Sequence, residues 1–289
     1  MQINRVLLIA VGSVLLAMLT IQSGASLAKQ LFPVIGPEGT TALRLGFAAA
    51  ILCVVFRPWR ALPQGRDWQS IIFYGLCLGG MNILFYLAIE RIPLGIAVAL
   101  EFTGPLAVAL FGSKRKSDLL WVAFAITGIV LLLPDLASAQ GLDLTGALLA
   151  LGAGGCWAGY ILFGSRTGKQ SSGGITVALG MTVAAIVIVP VGAVSQGLAL
   201  ISWDVLPLGL LVGVLSSALP YSLEMVALRN MPTQAFSVLM SLEPAIAALA
   251  GFVLLSEQLT LLQWAAIVLV IIASIGSSFS PKKAIEMGV

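Results

Sequence analysis

The stretch PLGIAVALEFTGPLAVALFGS, residues 93–113, carries a single charge, Glu101, among its twenty-one residues. A run of this length can cross a membrane as a helix, because about 20 apolar residues span a hydrocarbon core of roughly 30 Å. Glu101 lies near its middle, where a carboxylate is costly. Pro105 lacks an N–H group and so removes the hydrogen bond to the carbonyl four residues earlier, which is that of Glu101 itself. The stretch therefore predicts a broken membrane helix that faces a polar cavity.

The rest of the chain is similarly apolar. Of its 289 residues, 59% are hydrophobic and 9% are charged, whereas a soluble domain carries about 25% charged residues. The mean hydropathy is +1.06. The predicted fold class is therefore an all-α integral membrane protein with ten transmembrane helices, at roughly 6–32, 37–56, 68–89, 93–113, 118–134, 144–165, 172–195, 205–228, 232–255 and 261–280. The first run is too long for a signal peptide, so we expect it to be retained as a helix.

The loop charges predict the orientation. With the N-terminus in the cytoplasm, the outer loops hold only Arg91, and Lys29 and Arg44 fall within spans. The inner side then holds Arg5, Arg57, Arg60, Arg66, Lys114, Arg115, Lys116, Arg166, Lys169, Arg229, Lys282 and Lys283. Cytoplasmic loops of membrane proteins carry an excess of Lys and Arg, so we expect both termini in the cytoplasm. The net charge of +3 belongs to these loops and does not indicate a nucleic-acid partner.

A weak internal repeat divides the chain into two halves, 1–135 and 136–289. A displacement of 139 residues brings Pro105 onto Pro244, and a displacement of 135 brings Gly24 onto Gly159. Each half holds five predicted spans, and because five is odd, the second half must enter the membrane from the opposite face. The sequence thus predicts an inverted-topology repeat, in which the site lies near the midplane where the halves meet.

Polar and aromatic residues on several predicted helices could line this site. In the second half, Glu243 stands directly before Pro244, which frees the carbonyl of Met240 in the same way as Pro105 frees that of Glu101. A third proline, Pro220, lies in helix eight. The remaining candidates share single faces of their helices or lie a turn apart: Gln22, Ser26 and Lys29; Arg44; Asn82 and Tyr86; Trp157 and Tyr160; and Ser217, Tyr221 and Glu224.

Several of these residues have a structural alternative. Arg44 could instead pair with a carboxylate or a helix end, and Lys29 could extend to the membrane surface. Glu224 could form a gate or a salt bridge with Arg229. Trp157 and Tyr160 could serve only in packing. Glu101 and Glu243 lie deepest, and for them a functional role is the preferred interpretation.

The chain lacks the usual equipment of an enzyme. It contains no His, which removes the commonest general base and metal ligand. Its three cysteines, Cys53, Cys77 and Cys156, lie in spans without C-x-x-C spacing, so we expect neither a metal site nor a cofactor. No G-x-x-x-x-G-K-[ST] segment for binding ATP occurs. An intramembrane enzyme is therefore disfavoured, and a transporter or a channel remains.

The charges of the predicted cavity suit a zwitterion. The ammonium of an α-amino acid requires a carboxylate, and its carboxylate requires a cation or a helix N-terminus. A carboxyl group buried away from water also favours its protonated form, so one of the glutamates could exchange protons with either side. The expected partners are thus a small amino acid, protons and the lipid bilayer. The sequence does not indicate an oligomeric state.

Several segments resemble a known family: 21–33, 41–45, 79–111 (GGMNILFYLAIERIPLGIAVALEFTGPLAVALF), 218–225 and 240–245. They are similar to the bacterial threonine/homoserine exporters of the drug/metabolite transporter superfamily, and the resemblance extends over two EamA-type repeats. It implies ten helices, an inner-membrane location with cytoplasmic termini, and proton-driven efflux of threonine, homoserine and related amino acids. A departure is Gln22, where many such repeats have a Trp, as at Trp157 in the second half. A multidrug or other metabolite exporter of the same superfamily is the alternative.

The predicted orientation can be tested on the linker between the halves. We expect Ser138→Cys, in a cysteine-free background, to react with a membrane-impermeant thiol reagent added outside the cell, because this linker follows an odd number of spans. Intact cells and inverted vesicles provide the two directions of access. Labelling only from the cytoplasmic side would contradict the ten-helix topology.

Overall fold

The computed structural model describes residues 2–60, 62–63, 67–111, 118–132, 143–167, 173–231, 236 and 239–278. Within these residues the regular structure is helical. The α-helices are α1 Gln2–Phe56, α2 Asp67–Arg91, α3 Leu94–Glu101, α4 Thr103–Phe111, α5 Asp118–Leu132, α6 Leu144–Thr167, α7 Gly173–Gln196, α8 Leu206–Gly213, α9 Leu219–Asn230, α10 Glu243–Leu255 and α11 Leu261–Ser278. Short 3₁₀ helices span Pro58–Arg60 and Gly197–Ile201, and a π-helical turn, Val214–Ala218, joins α8 to α9.

Helix α1 is two helical segments that meet at a sharp kink. At the kink, Ile35 has φ −129° and ψ 15°, and Gly36 has φ 60° and ψ 173°. The positive φ favours glycine, which has no Cβ. Pro33 and Pro37 flank the kink, where they weaken the helical hydrogen bonding on both sides. The kink falls between the predicted spans 6–32 and 37–56.

Several helices have the length and composition of membrane spans. Five are long and apolar enough to cross a bilayer, namely Leu8–Phe56, Trp68–Arg91, Leu144–Gly164, Gly174–Ile201 and Leu206–Glu224. Shorter apolar helices cover Leu94–Val108, Leu120–Leu131, Glu243–Leu255 and Leu261–Gly276. Many large apolar side chains face outward, including Leu8, Val54 and Val194, as a lipid environment requires. The chain is therefore an all-α protein with several membrane-spanning helices, and the count of ten stays a prediction.

The apolar run 93–113 is interrupted just before Pro105, as the proline predicts. α3 ends at Glu101, Phe102 forms a turn, and α4 begins at Thr103, so that Pro105 lies in its first turn. In the second half, Ser241 and Leu242 form a turn, and Pro244 lies in the first turn of α10. Phe102 and Ser241 are separated by 139 residues, so the breaks occupy equivalent positions of the internal repeat.

The contacts between helices follow the same repeat. α2 packs against α6, and the counterpart of this contact is the packing of α8 and α9 against α1. α5 packs against α11, α3 against α10, and the second segment of α1 against α7. Each of these pairs joins equivalent helices of the two halves, so exchange of the halves leaves the pair unchanged. Because exchange of the two halves reproduces this set of contacts, the packing follows the internal repeat.

α3 lies at the centre of the bundle. All eight of its residues, Leu94–Glu101, are buried, which explains why its sequence is apolar on every side. It belongs to the main hydrophobic core, together with residues of α1, α2, α6 and α10. Gly95 contacts Ala248 of α10 so closely that an added methyl group would lie 2.6 Å from the Ala248 side chain. The charge of Glu101 is therefore held in the middle of the packed core.

Helix α6 covers the carbonyl group that Pro105 frees. A methyl group on Gly154 would lie 2.6 Å from the backbone oxygen of Glu101, and Gly104 in turn faces the backbone oxygen of Gly154. Only glycine permits this approach of two backbones. In a membrane, non-helical backbone is tolerated where protein buries it, so the Gly154–Gly104 contact keeps the break in α3–α4 away from lipid.

A cap fixes the start of α6. Asp143 Oδ1 accepts hydrogen bonds from Thr145 N at 2.7 Å and Gly146 N at 3.2 Å, and its second oxygen pairs with Arg91 at 3.3 Å. These backbone donors, that of Gly146 foremost, together with Arg91, hold the pKa of Asp143 below its ordinary value. An ionised Asp before a first helical turn is a favourable N-cap, which explains why α6 begins at Leu144.

The backbone contact at Gly154 predicts different effects of two adjacent substitutions. Gly154→Ala would force α6 away from Glu101, and we expect a loss of about 1–3 kcal/mol of stability, as for other overpacked cores. Gly155→Ala is the matched control, because no atom lies within 4 Å of its added methyl group and Ala favours a helix by about 1 kcal/mol over Gly. Thermal unfolding of both proteins in one detergent provides the measurement. Equal midpoints for the two variants would contradict the proposed contact.

Candidate functional site

A cavity of about 100 Å³ lies where helices of the two halves meet. Residues from α1, α2, α3, α6, α9, α10 and the π-helical turn contribute to its wall. Nine of the thirteen residues predicted for the site line it: Gln22, Arg44, Asn82, Glu101, Trp157, Tyr160, Tyr221, Glu224 and Glu243. The fold thus brings together groups that lie up to 221 residues apart in the sequence.

Glu101 is buried, with 7% of its surface exposed, and it lies at the C-terminal end of α3. No hydrogen bond or ion pair joins its carboxyl group to any residue that the structure describes. Its electrostatic neighbours are Glu243, which opposes its negative charge, and Arg44, which favours it. A carboxyl group that borders a cavity without a fixed partner is free to take up a proton or a ligand.

Glu243 and Gln22 join the two halves across the cavity. Gln22 Nε2 donates to Glu243 Oε1 at 3.3 Å, and 1% of Gln22 and 5% of Glu243 are exposed. The amide oxygen of Gln22, Oε1, and the second carboxyl oxygen of Glu243, Oε2, have no hydrogen-bond partner among the described residues. Ser26, one turn after Gln22, donates to the Gln22 carbonyl at 2.9 Å and does not line the cavity. The pair therefore presents two unused acceptors in a buried site.

Arg44 satisfies a backbone carbonyl that the sequence leaves free. Pro220 lacks an N–H group, so the carbonyl four residues earlier, that of Ser216, has lost its usual helical donor. Arg44 Nη2 donates to this oxygen at 2.9 Å, and Arg44 Nε donates to Ser217 Oγ at 3.1 Å. The ring of Tyr86 packs beneath the guanidinium, with 5.1 Å between Arg44 Cζ and the ring centre. Tyr86 does not line the cavity. Arg44 thus both supports the π-helical turn and borders the cavity.

The aromatic residues contribute to packing and to the cavity at once. Trp157 packs edge-to-face against Phe102, with ring centres 5.5 Å apart, and Tyr160 stacks on Tyr74 at 4.6 Å. Tyr221 and Glu224 reach the cavity from α9. The alternative pairing of Glu224 with Arg229 involves a side chain that lies outside the described part of the structure. Asn82 donates to the Leu78 carbonyl at 2.8 Å, which fixes its amide within α2.

Lys29 lies away from the cavity wall and takes part in a cluster that sequence reasoning missed. Lys29 Nζ is 2.7 Å from Glu257 Oε1, and Glu257 Oε2 accepts a hydrogen bond from Leu94 N, the first residue of α3, at 2.8 Å. We call these three groups the Glu257 cluster. It ties the first half to the loop that follows α10. The sequence contained one signal for it, since the N–H groups at the start of α3 required an acceptor.

The described residues hold no group of three or more side chains of the kinds that bind metal ions. Cys53, Cys77 and Cys156 are free thiols and half-buried. The chemistry of the site therefore consists of carboxyl groups, a guanidinium, amides, hydroxyls and aromatic rings. These groups can bind a small polar molecule and exchange protons with it or with water.

Comparison with known proteins gives related chains over nearly the whole length. Residues 8–133 and 144–279 each match the EamA-like transporter family. Relatives named threonine/homoserine exporter RhtA, from Salmonella typhimurium strain LT2 and Escherichia coli strain K12, are 56% and 54% identical over 93% of this chain and 91% of theirs. The uncharacterized transporter YwfM of Bacillus subtilis strain 168 is 27% identical over 86% of this chain and 88% of its own. A crystal structure with 18% identity and a TM-score of 0.58 covers 99% of both chains, and this likeness concerns the fold alone.

We expect the Lys29–Glu257 ion pair to contribute more to stability than the Arg91–Asp143 pair. We expect Glu257→Ala to cost about 1.5–3 kcal/mol, as for hydrogen bonds to charged groups that are partly shielded from water, because it removes the partner of Lys29 and of the Leu94 amide. Arg91→Gln is the control, since its pair with Asp143 is exposed and surface pairs contribute little. Thermal unfolding in detergent provides the comparison. A midpoint for Glu257→Ala equal to that of Arg91→Gln would mean that the cluster does not hold the halves together.

Proposed function

Because the chain belongs to the EamA-like transporter family, we propose that it exports small neutral amino acids, including threonine and homoserine, across the bacterial inner membrane. The relatives at 54–56% identity bear the name of exporters of these two amino acids. The observation that carries the proposal is the cavity between the halves, because its size and its charges suit a small zwitterion.

The size of the cavity favours a small substrate. Sites for drug-sized molecules have volumes of about 300–1,000 Å³, whereas this cavity measures about 100 Å³. A volume of this size suits a molecule much smaller than a drug, such as threonine. The volume thus argues against the alternative of a multidrug exporter, which the aromatic residues Trp157, Tyr160 and Tyr221 would otherwise favour.

The chemistry of the wall favours an amino acid over other small molecules. Glu101, Glu243 and Glu224 provide carboxyl groups, and Arg44 provides a positive charge. An uncharged metabolite would leave the charge of these buried groups without a counter-charge in the cavity, at a cost of several kcal/mol for a charged group. An α-amino acid brings a charge of each sign. The substrate pathway that we propose consists of the nine residues of the wall, with Ser26, Tyr86 and Lys29 beside it.

The proposed architecture is ten transmembrane helices in two inverted five-helix halves, 1–135 and 136–289, with both termini in the cytoplasm. The exchangeable contacts between helices and the equivalent breaks at Phe102 and Ser241 support it. In this orientation the Glu257 cluster lies on the outer side, where it links the two halves. Export then requires the cluster to open as the halves exchange their shapes, which is alternating access.

The proton gradient is the proposed energy source, and Glu101 is the proposed carrier. It is buried in the packed core, it borders the cavity, and it lacks a fixed partner among the described residues. A carboxyl in such a place costs about 2.5–3.5 kcal/mol on the insertion scale, which a residue used only for packing would not require. Protonation from one side and release to the other would couple proton entry to substrate exit.

Counterflow in proteoliposomes tests the function. Vesicles that contain the purified protein are loaded with unlabelled threonine, and the uptake of labelled threonine is then measured. We expect transient accumulation with threonine or homoserine inside and none with a lipophilic cation inside. Counterflow with the cation but not with amino acids would establish the multidrug alternative. Flux that does not saturate would indicate a channel.

The role of Glu101 predicts a separation between exchange and uphill transport. Glu101→Gln keeps the shape of the side chain but cannot carry a proton, so we expect uphill efflux driven by a pH gradient to fall at least about tenfold, an effect of about 1.4 kcal/mol. Exchange of threonine without a gradient should survive in part. Glu90→Gln is the control, because Glu90 is exposed at the end of α2. Wild-type efflux and wild-type pH dependence in Glu101→Gln would exclude Glu101 as the carrier.

A further inference from the structure

The buried polar atoms that lack a partner are concentrated at the cavity. Among the described residues they are Gln22 Oε1, Glu243 Oε2, Ser216 Oγ and Tyr86 Oη, and the first three belong to residues of the cavity wall. Each buried polar atom without a hydrogen bond costs about 1–3 kcal/mol, and native proteins keep few of them. Three such atoms on residues of one cavity wall are candidates for hydrogen bonds to a ligand.

Two of these atoms form an acceptor pole. Gln22 Nε2 is used in its hydrogen bond to Glu243 Oε1, which leaves the amide oxygen of Gln22 and the second carboxylate oxygen of Glu243 for a ligand. An amide oxygen accepts hydrogen bonds and never donates them, and an ionised carboxylate does the same. The group that fits both atoms is a donor with several N–H bonds and a positive charge, which describes an ammonium.

The third atom belongs to a donor pole. The Ser216 carbonyl is occupied by Arg44 Nη2, but the Ser216 hydroxyl has no partner among the described residues. This hydroxyl lies against Gly24 of α1, where any side chain would collide with it. Two of the guanidinium nitrogens of Arg44, Nε and Nη2, are fixed by Ser217 and Ser216, and Arg44 borders the same cavity. A hydroxyl beside a fixed guanidinium suits a carboxylate.

We propose that Gln22 and Glu243 bind the ammonium of the exported amino acid, and that Ser216 and Arg44 bind its carboxylate. The inference rests on the proposed function and assigns the two ends of the substrate within the same cavity. Both poles border the same cavity, so both are available to one small molecule. The assignment leaves Glu101 free of the substrate charges, as its role as proton carrier requires.

Competition in the counterflow assay tests the assignment, with equal pH on both sides so that coupling does not contribute. Three unlabelled competitors are used: threonine, threonine amide, which lacks the carboxylate, and N-acetylthreonine, which lacks the ammonium. For the wild type we expect threonine to compete at least about tenfold better than either analogue, since each analogue leaves one pole without its partner.

The variants should lose this selectivity at one pole only. We expect Ser216→Ala to reduce the preference for threonine over its amide by about fivefold to tenfold while keeping the preference over N-acetylthreonine. Glu243→Gln should instead reduce the preference for threonine over N-acetylthreonine and keep the preference over threonine amide. Ser222→Ala is the control for the serine, because Ser222 donates to the Ala218 carbonyl on the same helix and does not line the cavity. Gln22→Met, close in volume to the native residue, tests the acceptor pole independently if Glu243→Gln does not fold.

The outcomes separate the two proposals. A wild-type protein that shows no amino-acid counterflow contradicts the proposed function, and the assignment of the poles with it. A wild-type protein with threonine counterflow whose Ser216→Ala and Glu243→Gln variants weaken all three competitors equally contradicts the assignment alone. Loss of selectivity for one analogue in each variant supports it.

Discussion

A membrane helix has no water with which to satisfy a backbone carbonyl that proline has freed, and this structure is arranged around three such carbonyls. Pro105 frees that of Glu101, which lies against the backbone of Gly154. Pro220 frees that of Ser216, which accepts a hydrogen bond from Arg44. Pro244 stands in the first turn of α10, beside Glu243. Because each break must face protein rather than lipid, other helices cover the carbonyls of Glu101 and Ser216. Glu101, Ser216 and Glu243 also line the polar cavity.

Much of the fold and of the site could be predicted from the sequence. Long apolar runs become helices because the bilayer demands internal hydrogen bonding, and the helix breaks follow from the chemistry of proline. The depth of Glu101 and Glu243 in their runs was enough to assign them to a polar centre. Gln22 and Trp157, at which the two repeats differ, both line the cavity.

Some residues lie elsewhere than the sequence pattern predicted, and each difference has a physical cause. A regular helix of 3.6 residues per turn places Ser217 on the face of Tyr221, but in the π-helical turn the hydrogen bonds join residues five apart and each turn is wider. Ser216 therefore lines the cavity instead, and Ser217 binds Arg44. Lys29 shares a helical face with Gln22 but lies seven residues further on, about 10 Å along the axis. There it meets Glu257, which no helical periodicity could have brought near it.

The central claim is that the cavity between the two halves holds the transported amino acid. A structure of the purified protein, determined by cryo-electron microscopy in saturating threonine and again without it, tests this claim most directly. We expect density for one small molecule between the Gln22–Glu243 pair and Arg44, present only with threonine. The same cavity empty of such density in saturating threonine, or threonine bound elsewhere on the protein, would contradict it.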